Sequence, residues 1–105
     1  TEAPKDIIIE DLKITVRKLT KEDIKTRKLP NQTSGLVVTK IGNTSPLQNS
    51  IEANSIIVEA QKTRVKNAND LEKIVKEVLK SNQKTILLAI YNNQNQRRYI
   101  GVKLN

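Results

Sequence analysis

One segment of this sequence has the length and spacing of a regular helix, and it limits the fold more than any other feature. Its apolar residues recur at positions i, i+3, i+4, i+7 and i+8, which places them on a single helical face. They are Leu71, Ile74, Val75, Val78 and Leu79. Every other apolar run is shorter and has the length of a strand. We therefore expect one main helix that packs against a sheet.

The remaining apolar residues alternate with polar ones or form short runs rich in Ile and Val. Leu12, Ile14 and Val16 alternate with polar residues, which is the pattern of a half-buried strand over 12–18. The brief run Ile7–Ile9 is long enough only for a first strand or an anchor. Further strands are predicted at 36–41, 56–58, 63–65, 85–91 and 98–104. The last two flank a polar loop and form a closing hairpin.

Capping residues predict where the helices begin and end. Thr20 can cap a short helix that ends before Pro30, and its first turn carries acidic residues. Ser45-Pro46 has the N-cap and first-turn chemistry of a second short helix that runs through Ile51. Asn67 or Asn69 caps the main helix, and the polar stretch 81–83 ends it.

Together these elements predict an α+β domain. We expect a small, partly closed antiparallel β-barrel or sandwich of five to six strands, capped by one main helix and one or two short helices. Residues 1–6 are expected to form a linker or leader, and residues 7–105 a single domain. The core is supplied by 13 Ile, 10 Leu and 8 Val, and such branched side chains suit a sheet.

The composition excludes several classes of chemistry. The chain has 105 residues and contains neither cysteine nor histidine. It therefore has no thiolate nucleophile, no disulfide, no Cys/His zinc site and no histidine-containing catalytic triad. No side chain has an ordinary pKa near neutrality for acid–base catalysis. We expect no enzyme activity from this chain, and neither a metal nor a cofactor.

The net charge of +8 comes from 19 Lys and Arg against 11 Asp and Glu. A nucleic-acid-binding surface gathers basic residues on one face, usually with aromatic residues that stack on bases. Here the basic residues are scattered, most densely from Lys13 to Lys28, and the two tyrosines offer no stacking platform. We interpret the charge as a solvated surface and expect no nucleic-acid partner. No apolar run approaches the roughly 20 residues that span a bilayer, so membrane insertion is not expected.

The order of motifs from Gly35 to Leu104 resembles a PDZ domain in its bacterial, permuted form. The resemblance rests on Gly35-Leu36-Val37-Val38, Thr44-Ser45-Pro46-Leu47, Ile56-Ile57-Val58-Glu59-Ala60 and Val65-Lys66-Asn67-Ala68-Asn69-Asp70-Leu71. It is greatest to the second, C-terminal PDZ domain of the Deg/HtrA periplasmic serine proteases. The family's Gly-Asp turn is here Asn54-Ser55, and we expect Asn54 to adopt the left-handed conformation that the turn needs.

The resemblance implies a peptide-binding regulatory module whose protease triad lies upstream. Such a module captures C-terminal or extended segments of unfolded proteins, or contacts other domains and protomers of the protease. It would act in the periplasm, in protein quality control and the stress response. The alternative is a stand-alone protein-interaction domain with a basic surface that belongs to no protease.

The family's binding site matches a loop, the strand that follows it and the main helix. The loop holds a peptide's terminal carboxylate through backbone N–H groups, and the peptide adds as a strand. The matching residues are Leu12, Lys13, Ile14, Thr15, Val16, Leu71, Ile74, Val75 and Val78. Lys13 stands where the family has glycine, and its side chain is expected to hinder the backbone geometry of the loop. The alternative interpretation is that these apolar residues serve only as core.

Overall fold

The computed structural model describes residues 5–82 and 84–104, so residues 1–4 of the predicted leader and Gln83 at the predicted helix end lie outside it. The elements in chain order are β1 (Ile7–Ile9), β2 (Ile14–Lys18), α1 (Lys21–Thr26), β3 (Leu36–Ile41), β4 (Ile56–Ala60), β5 (Thr63–Arg64), α2 (Ala68–Lys80), β6 (Thr85–Tyr91) and β7 (Arg97–Lys103).

The described strands form one antiparallel sheet in the order β1-β2-β3-β4-β6-β7, with β5 paired to β4. The predicted α+β class is confirmed, and the sheet has seven strands in an open arrangement. β6 and β7 pair along their full length, from Thr85 opposite Lys103 to Tyr91 opposite Arg97, as expected for a closing hairpin. β4 and β5 are joined by Gln61 and Lys62, which both have positive φ, as a type I′ turn requires.

Both faces of the sheet are covered. α2 packs on one face and contacts β1, β2 and β6. On this face Leu36, Val38 and Ile57 join the apolar side of α2 in the larger core cluster. On the other face Val37 and Ile56 pack with Ile24 of α1, Leu19 and Leu29. The central strands β3 and β4 are thus apolar on both sides, which is why their sequences form continuous apolar runs.

Two of the three predicted helices are present. Thr20 is the N-cap of α1, and Asn67 is the N-cap of α2. The Asn67 side chain accepts a hydrogen bond from the Asp70 N–H at 2.9 Å. The predicted helix after Pro46 is wrong, because this segment is a series of turns. It contains a single helical i→i−4 bond, from the Ile51 N–H to the Leu47 carbonyl. A segment this short forms too few helical hydrogen bonds to offset the free energy of helix nucleation.

Candidate functional site

The loop between β1 and β2 has its carbonyl groups fixed to the body of the domain. The Ser45 hydroxyl donates to the Leu12 carbonyl at 2.5 Å, and the Gly42 N–H donates to the Lys13 carbonyl at 2.8 Å. A Cβ on residue 42 would lie 2.8 Å from that same Lys13 oxygen, so the close approach requires glycine. These contacts fix the direction of the loop's backbone N–H groups.

The N–H groups of Leu12 and Lys13 point back toward the end of β1. Leu12 donates to the Ile9 carbonyl and Lys13 to the Glu10 carbonyl, each at 3.2 Å. These are two of the N–H groups that, by the resemblance, would hold a terminal carboxylate. In this structure they are satisfied within the chain.

Lys13 adopts a left-handed conformation with φ of 54°. The expected hindrance from its side chain therefore does not prevent the backbone from taking the conformation that glycine adopts at low cost. The side chain is exposed, and it points away from the core that Leu12 and Ile14 enter. This conformation places backbone strain on Lys13.

The strand that follows the loop, β2, presents alternate residues to the space between itself and α2. We call this space the groove. Ile14 and Val16 are almost fully buried in the core cluster that α2 covers. Thr15 points to the opposite face and is half-buried, and its carbonyl accepts a hydrogen bond from the Thr39 hydroxyl at 3.2 Å. Of the three strand residues predicted to contact peptide, two therefore line the α2 side, and Thr15 can contribute only backbone groups there.

α2 supplies the opposite wall of the groove. Leu71, Val75 and Val78 are buried, and Ile74 is half-buried and packs against the same cluster. The Asp70 carboxylate accepts a hydrogen bond from the Lys66 N–H at 3.2 Å, which supports the first turn of the helix. The predicted helix residues therefore meet Leu12, Ile14 and Val16 in one place, with Ile74 at its margin, whereas the side chains of Lys13 and Thr15 lie outside this cluster.

The groove is filled by β1, which the sequence analysis did not assign to the site. β1 lies beside β2, and its Ile9 is 1% exposed and belongs to the same apolar cluster as Leu12 and Val75. The signal was present in the sequence, since three isoleucines precede the strand by only a short loop, a spacing that permits a hairpin. Pairing with β2 makes Ile9 a direct neighbour of the site.

An ion pair closes the far end of β2. The Arg17 guanidinium donates to both carboxylate oxygens of Asp23, at 2.6 and 3.0 Å. This contact, together with hydrogen bonds from Thr20, holds the pKa of Asp23 well below its usual range, although partial burial opposes the effect. The hydrogen bond to Asp23 likewise raises the pKa of Arg17. The pair fixes where β2 ends and α1 begins.

Three lysines line one cleft of the domain. It has a volume of about 560 Å³ and lies along α1. Its lining consists of Lys21, Ile24, Lys25, Lys28, Leu29 and Asn31.

Among residues 5–82 and 84–104, no group of three acidic side chains could hold a metal ion. Within those same residues, no helix has the length and apolar character that a membrane crossing demands.

Two solved structures with this fold belong to HtrA-type proteins. A structure of the HtrA-type protease AlgW with a decapeptide matches with a TM-score of 0.65 and 16% identity, over 97% of this chain and 29% of that chain. The HtrA3 PDZ domain bound to a phage-derived ligand, FGRWV, matches with a TM-score of 0.61 and 20% identity, over 97% of this chain and 85% of that domain. No family model and no curated protein sequence matches the chain.

At these identities the likeness establishes the fold. The chain has the fold of the PDZ domains of HtrA-type proteases, which confirms the resemblance inferred from its motifs. It spans less than a third of the AlgW chain. The closer resemblance to the second PDZ domain of the family stays a prediction.

Proposed function

We propose that this chain is a PDZ module that binds C-terminal or extended segments of other proteins by adding them as a strand beside β2. The observation that supports this most directly is that the loop, β2 and α2 enclose one apolar cluster in which Ile9 is seated, with the Leu12 and Lys13 N–H groups donating to the carbonyls of Ile9 and Glu10. An apolar pocket next to backbone N–H donors is suited to a peptide that ends in an aliphatic residue with a free carboxylate. Two PDZ-containing structures that share the fold were solved with peptides.

We further propose that the module belongs to a Deg/HtrA-like serine endoprotease of the periplasm. There it would capture segments of unfolded substrates or contact neighbouring protomers during protein quality control. The resemblance of the motifs and the shared fold support this setting. The coding sequence upstream of Thr1 tests it. A serine protease domain there would carry His, Asp and a Gly-x-Ser-x-Gly motif in that order, and a different domain would contradict the proposal.

A stand-alone interaction domain is the second candidate, and the cleft along α1 favours it. Lys21, Lys25 and Lys28 surround the apolar side chains of Ile24 and Leu29. Such a surface suits an acidic segment of a partner protein. The two candidates differ in their response to salt, because the α1 cleft would lose affinity as ionic strength rises while the apolar groove would keep it.

The peptide-binding proposal is tested by titrating the full chain with dye-labelled peptides that end in isoleucine. Each peptide is prepared with a free carboxylate and as the amide. We expect the free acid to bind about tenfold more tightly, the effect of roughly one charge-assisted hydrogen bond. A matched peptide that ends in aspartate should bind neither way, because its side chain cannot enter the apolar pocket. Equal, weak binding of acid and amide would contradict carboxylate recognition.

A further inference from the structure

β1 occupies the position that an added peptide strand would take. It pairs antiparallel with the outer edge of β2, with Ile9 opposite Ile14, Ile8 opposite Thr15 and Ile7 opposite Val16. It also contacts α2, so it lies in the groove that the helix covers. Its carboxyl end points toward the loop, as the end of a bound C-terminal peptide would. No strand within the described part of the chain pairs with its other edge.

Ile9 makes the contacts of a terminal anchoring residue. Its side chain is 1% exposed, whereas Ile7 is 41% and Ile8 66% exposed. Its carbonyl accepts the hydrogen bond from the Leu12 N–H at 3.2 Å, and the next carbonyl, that of Glu10, accepts from Lys13. The apolar pocket and the loop donors are therefore both used by one residue and its neighbour. The chain supplies its own occupant for the site.

The loop that joins β1 to β2 is short, so β1 competes effectively with a peptide in solution for the groove. Only residues 10–13 separate β1 from β2, and a tether of this length gives a local concentration in the millimolar range or above. A peptide in solution can bind only the fraction of molecules whose groove is open, so its apparent affinity falls by that fraction. β1 nevertheless rests on few interactions, because it has three residues and buries one side chain.

Resting on the peptide-binding function proposed above, we propose that β1 is a built-in competitor that fills the groove in cis, and that a peptide in trans binds only by displacing it. The pocket that holds Ile9 then selects a β-branched aliphatic residue of similar size as the last residue of the ligand. Binding would be regulated by whatever alters the pairing of β1 with β2.

A reversible disulfide between β1 and β2 tests the inference. Ile8 and Thr15 are opposed in register on the side of the sheet away from the groove, and opposed Cα atoms in antiparallel strands lie about 4.5–5.5 Å apart, within the range of a disulfide. The chain has no cysteine, so the double variant Ile8→Cys/Thr15→Cys can form only this intramolecular bond. The reduced protein is its own matched control. Circular dichroism of both forms confirms that the fold is kept.

The probe is a dye-labelled pentapeptide with the sequence of residues 5–9 and a free carboxylate. We expect the reduced variant to bind it and the oxidised variant to bind at least about tenfold more weakly, since the locked strand cannot leave the groove. Equal affinity of the two forms overturns the inference and leaves the proposed function standing. If neither form, nor the opened variant described next, binds the pentapeptide, the proposed function and the inference both fail.

A second pair of variants weakens β1 instead of locking it. Ile9→Ser removes the buried anchor, and Ile8→Ser alters an exposed residue of the same strand. We expect Ile9→Ser to bind the pentapeptide about tenfold more tightly than the unaltered chain, because its groove is open more of the time. Ile8→Ser should stay within about threefold of the unaltered chain by the same reasoning. Unchanged or weaker binding by Ile9→Ser overturns the inference.

Discussion

Left-handed backbone in this domain falls on residues other than glycine. Among the described residues, seven with side chains have positive φ, and the three glycines do not. The seven are Lys13, Lys28, Asn54, Gln61, Lys62, Lys84 and Asn95. Asparagine tolerates this conformation, but lysine pays roughly 1 kcal/mol or more. The expectation for Asn54 is confirmed by its φ of 74°, whereas nothing in the lysine residues signals that they take the same conformation.

The glycines serve close approach instead. A Cβ on Gly35 would lie 2.5 Å from the Ile57 carbonyl oxygen, and one on Gly42 would lie 2.8 Å from that of Lys13. Their positions bring β3 against β4 and the binding loop against the end of β3. The fold shows which backbone each glycine faces.

Replacing Lys13 with glycine should stabilise the domain. The substitution relieves the left-handed strain, which raises the free energy of unfolding. The greater freedom of glycine in the unfolded chain opposes this effect, so the net increase should be about 0.5–1 kcal/mol. Urea denaturation monitored by circular dichroism measures it. Lys40→Gly is the matched control, because Lys40 is an exposed strand residue without positive φ, and it should lose about 0.5–1 kcal/mol. A loss of stability in both variants would contradict the strain argument.

At the scale of the elements, periodicity predicts regular segments and misses pairing partners. The bounds of β3 and β6 are those expected, and α2 begins at the expected cap. The apolar residues predicted for the site share one core cluster, as both the peptide-binding and the core-only interpretations expect, so the site stays a prediction. The spacing of the three isoleucines before β2 permits a hairpin, but it does not decide whether they occupy the groove, because three isoleucines suit an anchor and a strand equally. Only the contact with α2, which is distant in sequence, decides between them.

The junction of β2 and α1 depends on one carboxylate. Asp23 accepts hydrogen bonds from the Thr20 N–H at 2.9 Å and from the Arg17 guanidinium, and the Thr20 hydroxyl in turn accepts from the Asp23 N–H. This capping box satisfies N–H groups that a helix start leaves unpaired. The strand and the helix are thereby held by the same side chain.

Replacing Asp23 with asparagine should lower stability and flatten its dependence on pH. At neutral pH we expect a loss of about 1 kcal/mol, a modest value because the pair is partly exposed to solvent. The native state holds the pKa of Asp23 below its ordinary value, so its contribution is complete above the unfolded pKa of about 3.9. It declines as the pH falls from there toward the lower folded pKa.

Urea denaturation at a series of pH values checks this expectation. The difference between Asp23→Asn and the unaltered chain should narrow as the pH falls below about 4. Glu22→Gln serves as the control, since Glu22 is exposed on the same helical turn, and it should stay within about 0.5 kcal/mol of the unaltered chain. A difference that is constant across the whole pH range would show that the charge of Asp23 is not what stabilises the junction.

Over the whole molecule, one arginine joins loops that are far apart in sequence. Arg27, at the end of α1, donates to the Asn54 carbonyl at 2.5 Å and to the Asn92 carbonyl at 2.7 Å. It also donates to the Asn95 side chain, whose amide donates back to the Arg27 carbonyl. Partial burial lowers the pKa of the guanidinium, and Asp23 opposes the effect. The contacts hold α1, the turn before β4 and the closing hairpin together.

Removing this connection should destabilise the domain more than removing any exposed arginine. Arg27→Ala leaves two backbone carbonyls without their charged donor, and we expect a loss of about 1–2 kcal/mol. The stability of Arg27→Lys should lie between that of Arg27→Ala and that of the unaltered chain, because one ammonium cannot reach three acceptors in the way that a planar guanidinium does. Arg98→Ala is the control, because the Arg98 side chain is exposed and its one hydrogen bond within the described part of the chain is to Gln96, and it should cost no more than about 0.5 kcal/mol.

Hydrogen exchange adds a local measure that separates a joint from a general stabiliser. The Asn54 N–H donates to the Val38 carbonyl, and the Asn95 N–H donates to the Asn92 carbonyl, so both amides report on the loops that Arg27 contacts. Arg27→Ala should accelerate the exchange of both amides, relative to the unaltered chain, by a larger factor than it accelerates amides in the middle of β6. If all amides accelerate by the same factor, Arg27 contributes only to global stability. If the two loops accelerate alone, Arg27 is what fixes them to α1.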